Sequence, residues 1–267
     1  MKKLTAFLLA LLLIVTAVAL TSCGKPKGKT LDEVKAAGKL VVATSPDFPP
    51  FENLENGEVV GIEVEILEQI CTKLGVTLEL KQMDFESVLP GVQAGKFDCG
   101  MSGITVTAER QKNMLFTDPY CLAAQAIVVK AGSPIASKAD LTGKKVSVQT
   151  ATTAESYCGE NGYTVSAFAA NSDAQAALVQ GKVDAWVIDD LTAAEMVAEY
   201  NEDKADADKL IILSEAMTTE PYAFAFAFGS ETLVAEINKI LATMLSDGTI
   251  AGLFTKYNAP YTAPAQN

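Results

Sequence analysis

Strand and helix signals alternate along most of the chain, and this alternation limits the folds open to it. Three strand patterns, LVVAT (40–44), VTLELK (76–81) and FDCGM (97–101), are separated by helical patterns over 62–74 and 85–94. The first of these helices has apolar residues at helical spacing and ends at a glycine. Strands separated by helices predict an α/β fold, in which helices pack on a mostly parallel sheet.

The same order of elements repeats in the second half of the chain. Strands are predicted at AIVVK (126–130), KVSVQT (145–150), TVSAF (164–168) and VDAWVI (183–188), with helices near 153–159 and 171–180. The segments QAGKFD (93–98) and QGKVD (180–184) also resemble each other, and each leads into a strand. Ordinary helix-end chemistry could explain this echo, because glycine and lysine are common there. Together with the repeated order, the echo favours two similar lobes.

The last elements predict that the chain crosses between the lobes twice. YAFAFAF (222–228) alternates strictly and predicts a strand, Ser230 is placed to cap a helix ending at Ser246, and a last helix spans about 249–257. We expect lobe 1 to comprise 31–122 and 218–260, lobe 2 to comprise 123–217, and 261–267 to be a tail. Crossings near 119–125 and 214–221 would make a hinge beside a cleft.

The beginning of the chain predicts export and attachment to a membrane. Two lysines precede an uncharged run from Leu4 to Leu20, so we interpret 1–22 as a signal peptide. An uncleaved membrane anchor is the alternative, because the run is barely long enough to span a bilayer. LTSC (20–23) resembles the lipobox of bacterial lipoproteins. That resemblance implies a lipidated, palmitate-bearing Cys23, a tether over 23–30, and a protein held at the outer face of the cytoplasmic membrane.

Composition excludes several classes of function. The 267-residue chain has a formal net charge of −12 and no histidine. An acidic protein is a poor nucleic-acid binder, because a basic surface supplies most of that affinity. Catalysis by Ser-His-Asp or Cys-His groups and metal sites with histidine ligands are excluded, and we expect neither a metal nor a cofactor. Four further cysteines could form disulfides or remain buried thiols: Cys71, Cys99, Cys121 and Cys158.

Polar and aromatic residues follow the predicted strands at their carboxyl ends, where open α/β sheets bind ligands. In lobe 1 these residues are Asp47, Phe48, Ser102, Gly103 and Thr105. In lobe 2 they are Thr152, Thr153 and Asp189.

Arg110 stands in a first helical turn behind Thr107, where the helix dipole disfavours a cation. Its guanidinium offers a planar fork of donors suited to a carboxylate. Thr105 can add a hydroxyl, Gly103 permits close approach of backbone N–H groups, and a helix start behind Thr152 and Thr153 adds donors for an anion. Asp189 offers a charge to an ammonium, and Phe48 and Phe85 offer apolar walls. Such groups suit the backbone of a free amino acid.

Simpler structural explanations exist for the same residues. Arg110 could pair with Glu109 or Asp118 on the surface, where ion pairs are weak. Asp189 could cap the helix that follows it, and residues 150–153 could form only a capping cluster. Asp98 and Asp184 are expected in turns.

Four runs carry a resemblance to a known family: GIEVEI (61–66), GKFD (95–98), ITVTAER (104–110) and FTDPY (116–120). They resemble family 3 of the extracellular solute-binding proteins, which serve polar amino-acid ABC transporters, and the similarity spans roughly 31–257. It implies a type II periplasmic-binding-protein fold with two lobes. It also implies a monomer without enzymatic activity, which delivers a free amino acid to ABC permease subunits and their ATPase.

The resemblance also implies roles for single residues. Arg110 would clamp the ligand carboxylate beside Thr105 and Gly103, Thr153 would meet the same carboxylate, and Asp189 would receive the α-ammonium. Phe48 and Phe85 would flank the ligand. Two departures are present. Glu63 and Glu65 stand where the family usually has aspartates, which we expect to matter little at a helix start, and Ala151 replaces a usual glycine.

The side chain of the ligand is left open. Ser45, Asp47, Glu52 and Ser102 are expected near the pocket, and the two acids could favour lysine or arginine. Cystine or another polar amino acid fits as well. Two alternative functions are a dehydratase of the cyclohexadienyl or arogenate type, with Glu52 or Asp47 as its acid, and a sensory amino-acid-binding module. Such a module would normally continue into a transmembrane helix, whereas the chain stops at Asn267.

Overall fold

A computed structural model describes residues 27–265 of the protein, so the predicted signal peptide and lipidation at Cys23 lie outside the described residues. Residues 27–265 form two lobes, each built on a five-stranded sheet with helices against it. None of the helices in this range combines the length and the apolar character needed to cross a membrane.

The first part of the chain builds most of lobe 1. Its helices are α1 (Leu31–Ala37), α2 (Ile62–Leu74), α3 (Phe85–Gln93) and α4 (Ala108–Gln111). Its strands are β1 (Lys39–Thr44), β2 (Asp47–Phe48), β3 (Glu52–Glu55), β4 (Glu58–Val60), β5 (Thr77–Gln82), β6 (Cys99–Gly100) and β7 (Leu115–Phe116). Gly75 ends α2 with a left-handed φ of 76°, as its position in the sequence predicted.

The chain then enters lobe 2 and later returns. The crossing strand is β8 (Cys121–Ala123). The strands that follow in lobe 2 are β9 (Gln125–Lys130), β10 (Lys145–Gln149), β11 (Thr164–Phe168), β12 (Ala185–Asp189) and β13 (Leu210–Ile212). Its helices are α5 (Thr153–Glu160), α6 (Asn171–Val179) and α7 (Asp190–Asn201), with 3-10 turns at Lys138–Leu141 and Asp206–Asp208. The returning segment contains β14 (Glu220–Tyr222), β15 (Ala225–Phe226), α8 (Glu231–Ser246) and α9 (Thr249–Lys256).

The two sheets have the same topology. The strand order is β5-β1-β6-β15-β7 in lobe 1 and β11-β10-β12-β9-β13 in lobe 2. In each sheet the first three strands are parallel and the last two pairings are antiparallel. The α/β fold with two similar lobes is therefore confirmed. The parallel strands bring their carboxyl ends to one edge of each sheet.

The repeated QAGKFD and QGKVD segments have the same structural role in both lobes. Asp98 Oδ2 accepts a hydrogen bond from the Val41 N–H at 3.0 Å, and Asp184 Oδ2 accepts one from the Lys145 N–H at 2.8 Å. Asp98 thus ties the turn before β6 to the neighbouring strand β1, and Asp184 ties the turn before β12 to the neighbouring strand β10. The echo in the sequence reflects a repeated unit and not only the chemistry of helix ends.

The prediction of one strand over 222–228 is wrong. Tyr222 ends β14, which pairs with β8 in a two-stranded antiparallel ribbon, whereas β15 belongs to the sheet of lobe 1. Between them the Ala223 N–H donates to the Ile104 carbonyl at 3.0 Å, and the Phe224 carbonyl accepts from the Thr117 N–H at 3.0 Å. The alternation of aromatic residues and alanine did not mark two faces, because all residues from 222 to 227 are buried.

Three smaller predictions are also corrected or decided. Ser230 occupies the N-cap position of α8, but its hydroxyl makes no capping hydrogen bond. The predicted tether overlaps the folded body, because the buried Gly28 donates its N–H to the Phe228 carbonyl at 2.8 Å and Lys29 pairs with Asp98 at 2.9 Å. The four cysteines between 27 and 265 are all buried free thiols.

Candidate functional site

The ten residues predicted around a ligand all line one narrow cavity between the lobes. Eight come from the ends of strands and from the loops behind them, as the topology requires. The lining consists of Ser45, Asp47, Phe48, Phe85, Ser102, Gly103, Thr105, Arg110, Gln149, Thr152, Thr153 and Asp189. Ser45 and Gln149 add to the ten. The roles of these residues in binding stay predictions.

Arg110 is held at the cavity by its own short helix. The Arg110 N–H donates to Oγ1 of Thr107, which caps α4, at 3.1 Å. The side chain donates through Nη1 to the Thr105 carbonyl at 2.9 Å, and Cζ lies 5.9 Å from the centroid of the Phe85 ring. The surface ion pairs considered as an alternative are absent from the described part of the chain, where Glu109 binds Lys112 instead.

The charge of Arg110 is left without a carboxylate partner between residues 27 and 265. Burial lowers the pKa of Arg110, while the charges of Glu220 and Asp189 act in the opposite direction. A second bond runs from Nη2 to the carbonyl oxygen of Ala151 in lobe 2, at 3.3 Å. These two bonds use only part of the donor set of a guanidinium. The remaining donors suit an anion in the cavity.

Gly103 shapes the lobe 1 side of the cavity. Its φ is 53°, and a Cβ built there would lie 2.4 Å from Cε1 of Phe48. Only glycine therefore lets the ring and the loop come this close. The Gly103 N–H is not offered to a ligand, since it donates to Oε2 of Glu63 at 2.9 Å. Next to it, Ser102 Oγ accepts from the Ser45 N–H at 2.9 Å.

The lobe 2 side is the start of α5. Thr152 is the N-cap, because its Oγ1 accepts from the Glu155 N–H at 3.2 Å, and it donates to the Gln149 carbonyl at 2.7 Å. The capping explanation is thus correct for Thr152, which lines the cavity as well. Ala151 keeps a left-handed φ of 64° although it carries a Cβ. The carbonyl of Ala151 accepts a hydrogen bond from Arg110.

Asp189 lies at the N-cap position of α7, yet its side chain makes no capping bond. Asp190, the first residue of α7, instead accepts a hydrogen bond from the Leu191 N–H through Oδ1, at 2.9 Å. Asp189 is only 8% exposed, and its Oδ1 has no hydrogen-bond partner among the described residues. Burial and the charge of Glu220 raise the pKa of Asp189 to about 7, although the neighbouring polar side chains of Tyr222 and Gln125 oppose the shift. A buried carboxylate with an unpaired oxygen suits a cation.

Asp47 lines the cavity and also joins the lobes. Its Oδ2 accepts from the Asn171 N–H at 2.8 Å and from Nε2 of Gln149 at 3.2 Å, both in lobe 2. The Ser45 hydroxyl donates to Oδ1 at 3.0 Å. Sequence reasoning placed Asp47 at the cavity but missed Gln149. The signal was available, because Gln149 is the last residue of β10 and stands at a carboxyl strand end.

Three acids from the sequence analysis lie away from the lining. Glu52 is fully buried and does not line the cavity, so the acid that a dehydratase would need is not supplied there by Glu52. Glu63 is also fully buried, whereas Glu65 binds Lys256 at 2.7 Å near the surface. Glu63 is therefore no ordinary helix-start residue, and its contact with Gly103 links α2 to the cavity.

Comparison with known proteins agrees with this architecture. The model of the bacterial extracellular solute-binding proteins, family 3, matches residues 40–260. The L-cystine-binding protein TcyJ of Escherichia coli K12 is 30% identical over 232 residues, which cover 85% of each chain. The arginine-binding extracellular protein ArtP of Bacillus subtilis is 32% identical over 254 residues, 92% of this chain and 96% of its own.

A solved structure of a mutant of ArgBP from T. maritima is similar over nearly its whole length. The TM-score is 0.79 at 36% sequence identity, and the match covers 85% of this chain and 98% of that one. The two-lobed architecture is thus shared with a solved binding protein.

Proposed function

The chain belongs to the bacterial extracellular solute-binding proteins, family 3, and from this we propose that it binds a free amino acid between its lobes and delivers it to an ABC importer. One observation carries the proposal. Arg110 and Asp189, from different lobes, line the same cavity, and neither forms a salt bridge within residues 27–265. A zwitterion supplies the carboxylate and the ammonium that these two groups lack.

The carboxylate would be bound by Arg110, by Thr105 and Ser102 of lobe 1, and by the start of α5 at Thr152 and Thr153. The ammonium would be bound by Asp189. Phe48 and Phe85 would cover the aliphatic part of the ligand, while Gly103 allows the loop to approach the Phe48 ring. Burial makes each charge-assisted bond stronger than it would be in water.

Binding would stabilise a closed arrangement of the lobes. Lobe 1 would comprise 31–122 and 218–260, lobe 2 would comprise 123–217, and the β8–β14 ribbon would be the hinge. A ligand held by Arg110 on one side and Asp189 on the other has more contacts in the closed state. It therefore shifts the equilibrium towards closure. The permease would receive the ligand from this state.

The ligand would be a polar amino acid. TcyJ and ArtP are named for cystine and arginine, so these two compounds are the first to test. Asp47, Ser45 and Gln149 supply polar groups to the wall. The Asp47 carboxylate alone does not indicate a ligand with a cationic side chain, because three donors already bind it.

Attachment to the membrane would use the lipobox. Residues 1–22 would be removed, and Cys23 would carry the lipid at the outer face of the cytoplasmic membrane. Because Gly28 already packs against Phe228, the free tether would consist of only about four residues. Metabolic labelling with radioactive palmitate should mark the monomeric natural protein but not Cys23→Ser, and equal labelling of the two would refute lipid attachment at Cys23.

The binding proposal is tested by calorimetry with the twenty amino acids and with cystine. At least one of them should bind, and the affinity of Arg110→Ala for that compound should be lower by roughly 100-fold or more, because a buried ionic partner is lost. The affinity of Arg110→Lys should lie between those of the natural protein and Arg110→Ala, since an ammonium keeps the charge without the planar fork of donors. Lys112→Ala, which removes an exposed cation nearby, is the control. If no amino acid binds, or Arg110→Ala binds as well as the natural protein, the proposal is wrong.

A further inference from the structure

Two carboxyl groups that the proposed site does not use lie together beneath it. Glu52 on β3 and Glu63 on α2 are both 0% exposed, and the Glu63 N–H donates to the carbonyl of Phe51 at 3.1 Å, which brings the two acids together. Neither acid forms a salt bridge within residues 27–265. Two buried carboxylates in contact repel each other and lose their hydration, so both cannot be ionised at low cost.

The donors around the pair are divided unequally. Glu63 accepts from the Gly103 N–H at 2.9 Å and from the Tyr120 hydroxyl. Neither oxygen of Glu52 accepts a hydrogen bond from any described residue, although both are buried. Donors stabilise the ionised form of a carboxyl, and their absence favours the protonated form. The proton therefore belongs on Glu52, whose O–H can donate to Glu63.

The charged and titratable neighbours agree with this division. Burial comes first among the causes that raise the pKa of Glu52 well above its ordinary value, followed by the charge of Glu63; Asp47 adds to them, while Ser102 opposes the shift. Tyr120, Cys99 and Cys121 face Glu63, and burial with that charge raises the pKa of each of them, which keeps them neutral. None of these neighbours is a cation that could balance a second carboxylate.

Glu63 contacts both the loop and the segment that leads into the hinge. Gly103 belongs to the loop that lines the cavity, and Tyr120 directly precedes β8. The Tyr120 N–H in turn donates to the Tyr222 carbonyl of β14 at 3.0 Å. Through one carboxylate, the orientation of the loop is thus coupled to the ribbon between the lobes.

We propose that Glu52 and Glu63 share one proton and, with Tyr120, act as positioning residues for the Ser102–Gly103 loop on the lobe 1 side of the amino-acid site. The importance of this loop for binding rests on the proposed function, whereas the shared proton and the orientation of Gly103 do not. Chemical unfolding tests the shared proton and hydrogen exchange tests the orientation of Gly103, and neither measurement needs a ligand.

The shared proton is tested by chemical unfolding between about pH 5 and pH 8, with the natural protein and Glu52→Gln. Because the folded state holds a proton that the unfolded state loses above about pH 4.3, the natural protein loses stability as pH rises. An amide is neutral at every pH and can still donate to Glu63. The stability of Glu52→Gln relative to the natural protein should therefore rise, by up to tenfold in the unfolding constant per pH unit.

Parallel pH profiles for the two proteins would overturn the shared proton. The titration of Asp189 does not affect the difference between the two pH profiles, because it contributes equally to both. If Glu52→Gln does not fold, Tyr120→Phe supplies the second test. Loss of the hydroxyl donor lets the pair hold its proton to a higher pH, so the loss of stability with rising pH should extend further in Tyr120→Phe than in the natural protein. An unchanged profile in Tyr120→Phe would also contradict the proposal.

The orientation of the loop is tested by hydrogen exchange of the Gly103 amide. Glu63→Gln can accept with only one oxygen, so the Gly103 amide should exchange roughly tenfold faster or more. Glu65→Gln is the matched control, because Glu65 lies two residues away on α2 and binds Lys256 instead. Equal exchange in Glu63→Gln and Glu65→Gln would overturn the positioning role.

A titration with L-arginine and with cystine completes the experiment. If either compound binds the natural protein, its affinity should be lower for Glu63→Gln and unchanged for Glu65→Gln. Equal affinities in the two variants would show that the loop does not depend on Glu63 for binding. If neither compound binds the natural protein, that result concerns the ligand of the proposed site, and the two ligand-free measurements still decide the inference.

Discussion

Arg110 of lobe 1 donates a hydrogen bond through Nη2 to the carbonyl oxygen of Ala151 in lobe 2, over 3.3 Å. Nη1 of the same guanidinium donates to the Thr105 carbonyl, so one side chain contacts the backbone of both lobes. Ala151 has a φ of 64°, a left-handed conformation that costs a residue with a Cβ roughly 1–2 kcal/mol. The lobes therefore meet at a backbone turn that glycine would adopt more easily.

Replacing Ala151 with glycine should stabilise the protein. Relief of the left-handed strain outweighs the added freedom of the unfolded chain, which leaves a gain of roughly 0.5–1 kcal/mol in the free energy of unfolding. Urea denaturation measures the effect. Ala94→Gly is the control, since Ala94 has a φ of −77° and should only lose stability. Equal losses in the two variants would mean that Ala151 is not strained.

The affinity for the amino acid should depend on the protonation of Asp189. With a pKa of about 7 in the ligand-free protein, Asp189 is increasingly neutral below that pH and then binds an ammonium poorly. Affinity measured by calorimetry should therefore fall as pH falls below about 7, by up to tenfold per pH unit. Asp189→Asn should bind weakly at every pH. A natural protein whose affinity is constant from about pH 5 to pH 8 would contradict this assignment.

The same group should affect stability with the opposite sign. The raised pKa means that folded Asp189 keeps its proton while the unfolded form loses it above about pH 3.9. Stability from this group is present at low pH and is lost as pH rises towards about 7. Unfolding of ligand-free Asp189→Asn should lack this loss. A decline as steep as that of the natural protein would argue that Asp189 is ionised throughout.

Removal of the Asp47 carboxylate should open the cleft. Asp47 accepts from the Asn171 N–H and from Gln149, and bonds to an ionised group contribute about 1.5–3 kcal/mol each. Asp47→Ala should have a larger radius of gyration in X-ray solution scattering without a ligand. Asp84→Ala, which removes an exposed carboxylate without a side-chain capping bond, is the control. Identical scattering from both variants would show that Asp47 does not hold the lobes together.

A methyl group on Gly103 should damage both the fold and the site. In Gly103→Ala the new Cβ would lie 2.4 Å from the Phe48 ring, and the φ of 53° adds strain. Gly132→Ala is the matched control, because Gly132 has a φ of 76° and no atom within 4 Å of the added Cβ. Gly103→Ala should lose about 1–3 kcal/mol more in the free energy of unfolding than the control, measured in urea. Similar losses would place Phe48 away from Gly103.

Much of the fold was predictable from local patterns. The main helices and the parallel strands of both lobes appear where periodicity and end signals placed them, and Gly75 ends its helix as expected. The cavity lining was predictable for a related reason. Parallel strands place their carboxyl ends at one edge of a sheet, so residues after β1, β6, β10 and β12 must lie near that edge. The resemblance to a family then suggested which of them face a ligand.

Contacts between distant segments were not predictable in this way. Asp47 was expected to face a ligand, yet it accepts from Asn171, 124 positions away, and Glu63 was expected to matter little, yet it holds Gly103. The split of YAFAFAF between two sheets was equally hidden, because buried strands and bends can share one apolar pattern.

The sequence by itself determined the succession of helices and strands, the two similar lobes and the residues that reach the strand ends. Local backbone preference and the periodicity of apolar residues are sufficient for these features. Only the tertiary structure decided which polar groups have partners: Arg110 on the Ala151 carbonyl, Asp189 with an unpaired oxygen, and Glu52 against Glu63. Hydrogen bonding and desolvation depend on which segments pack together, and that packing is not encoded in any single stretch of the chain.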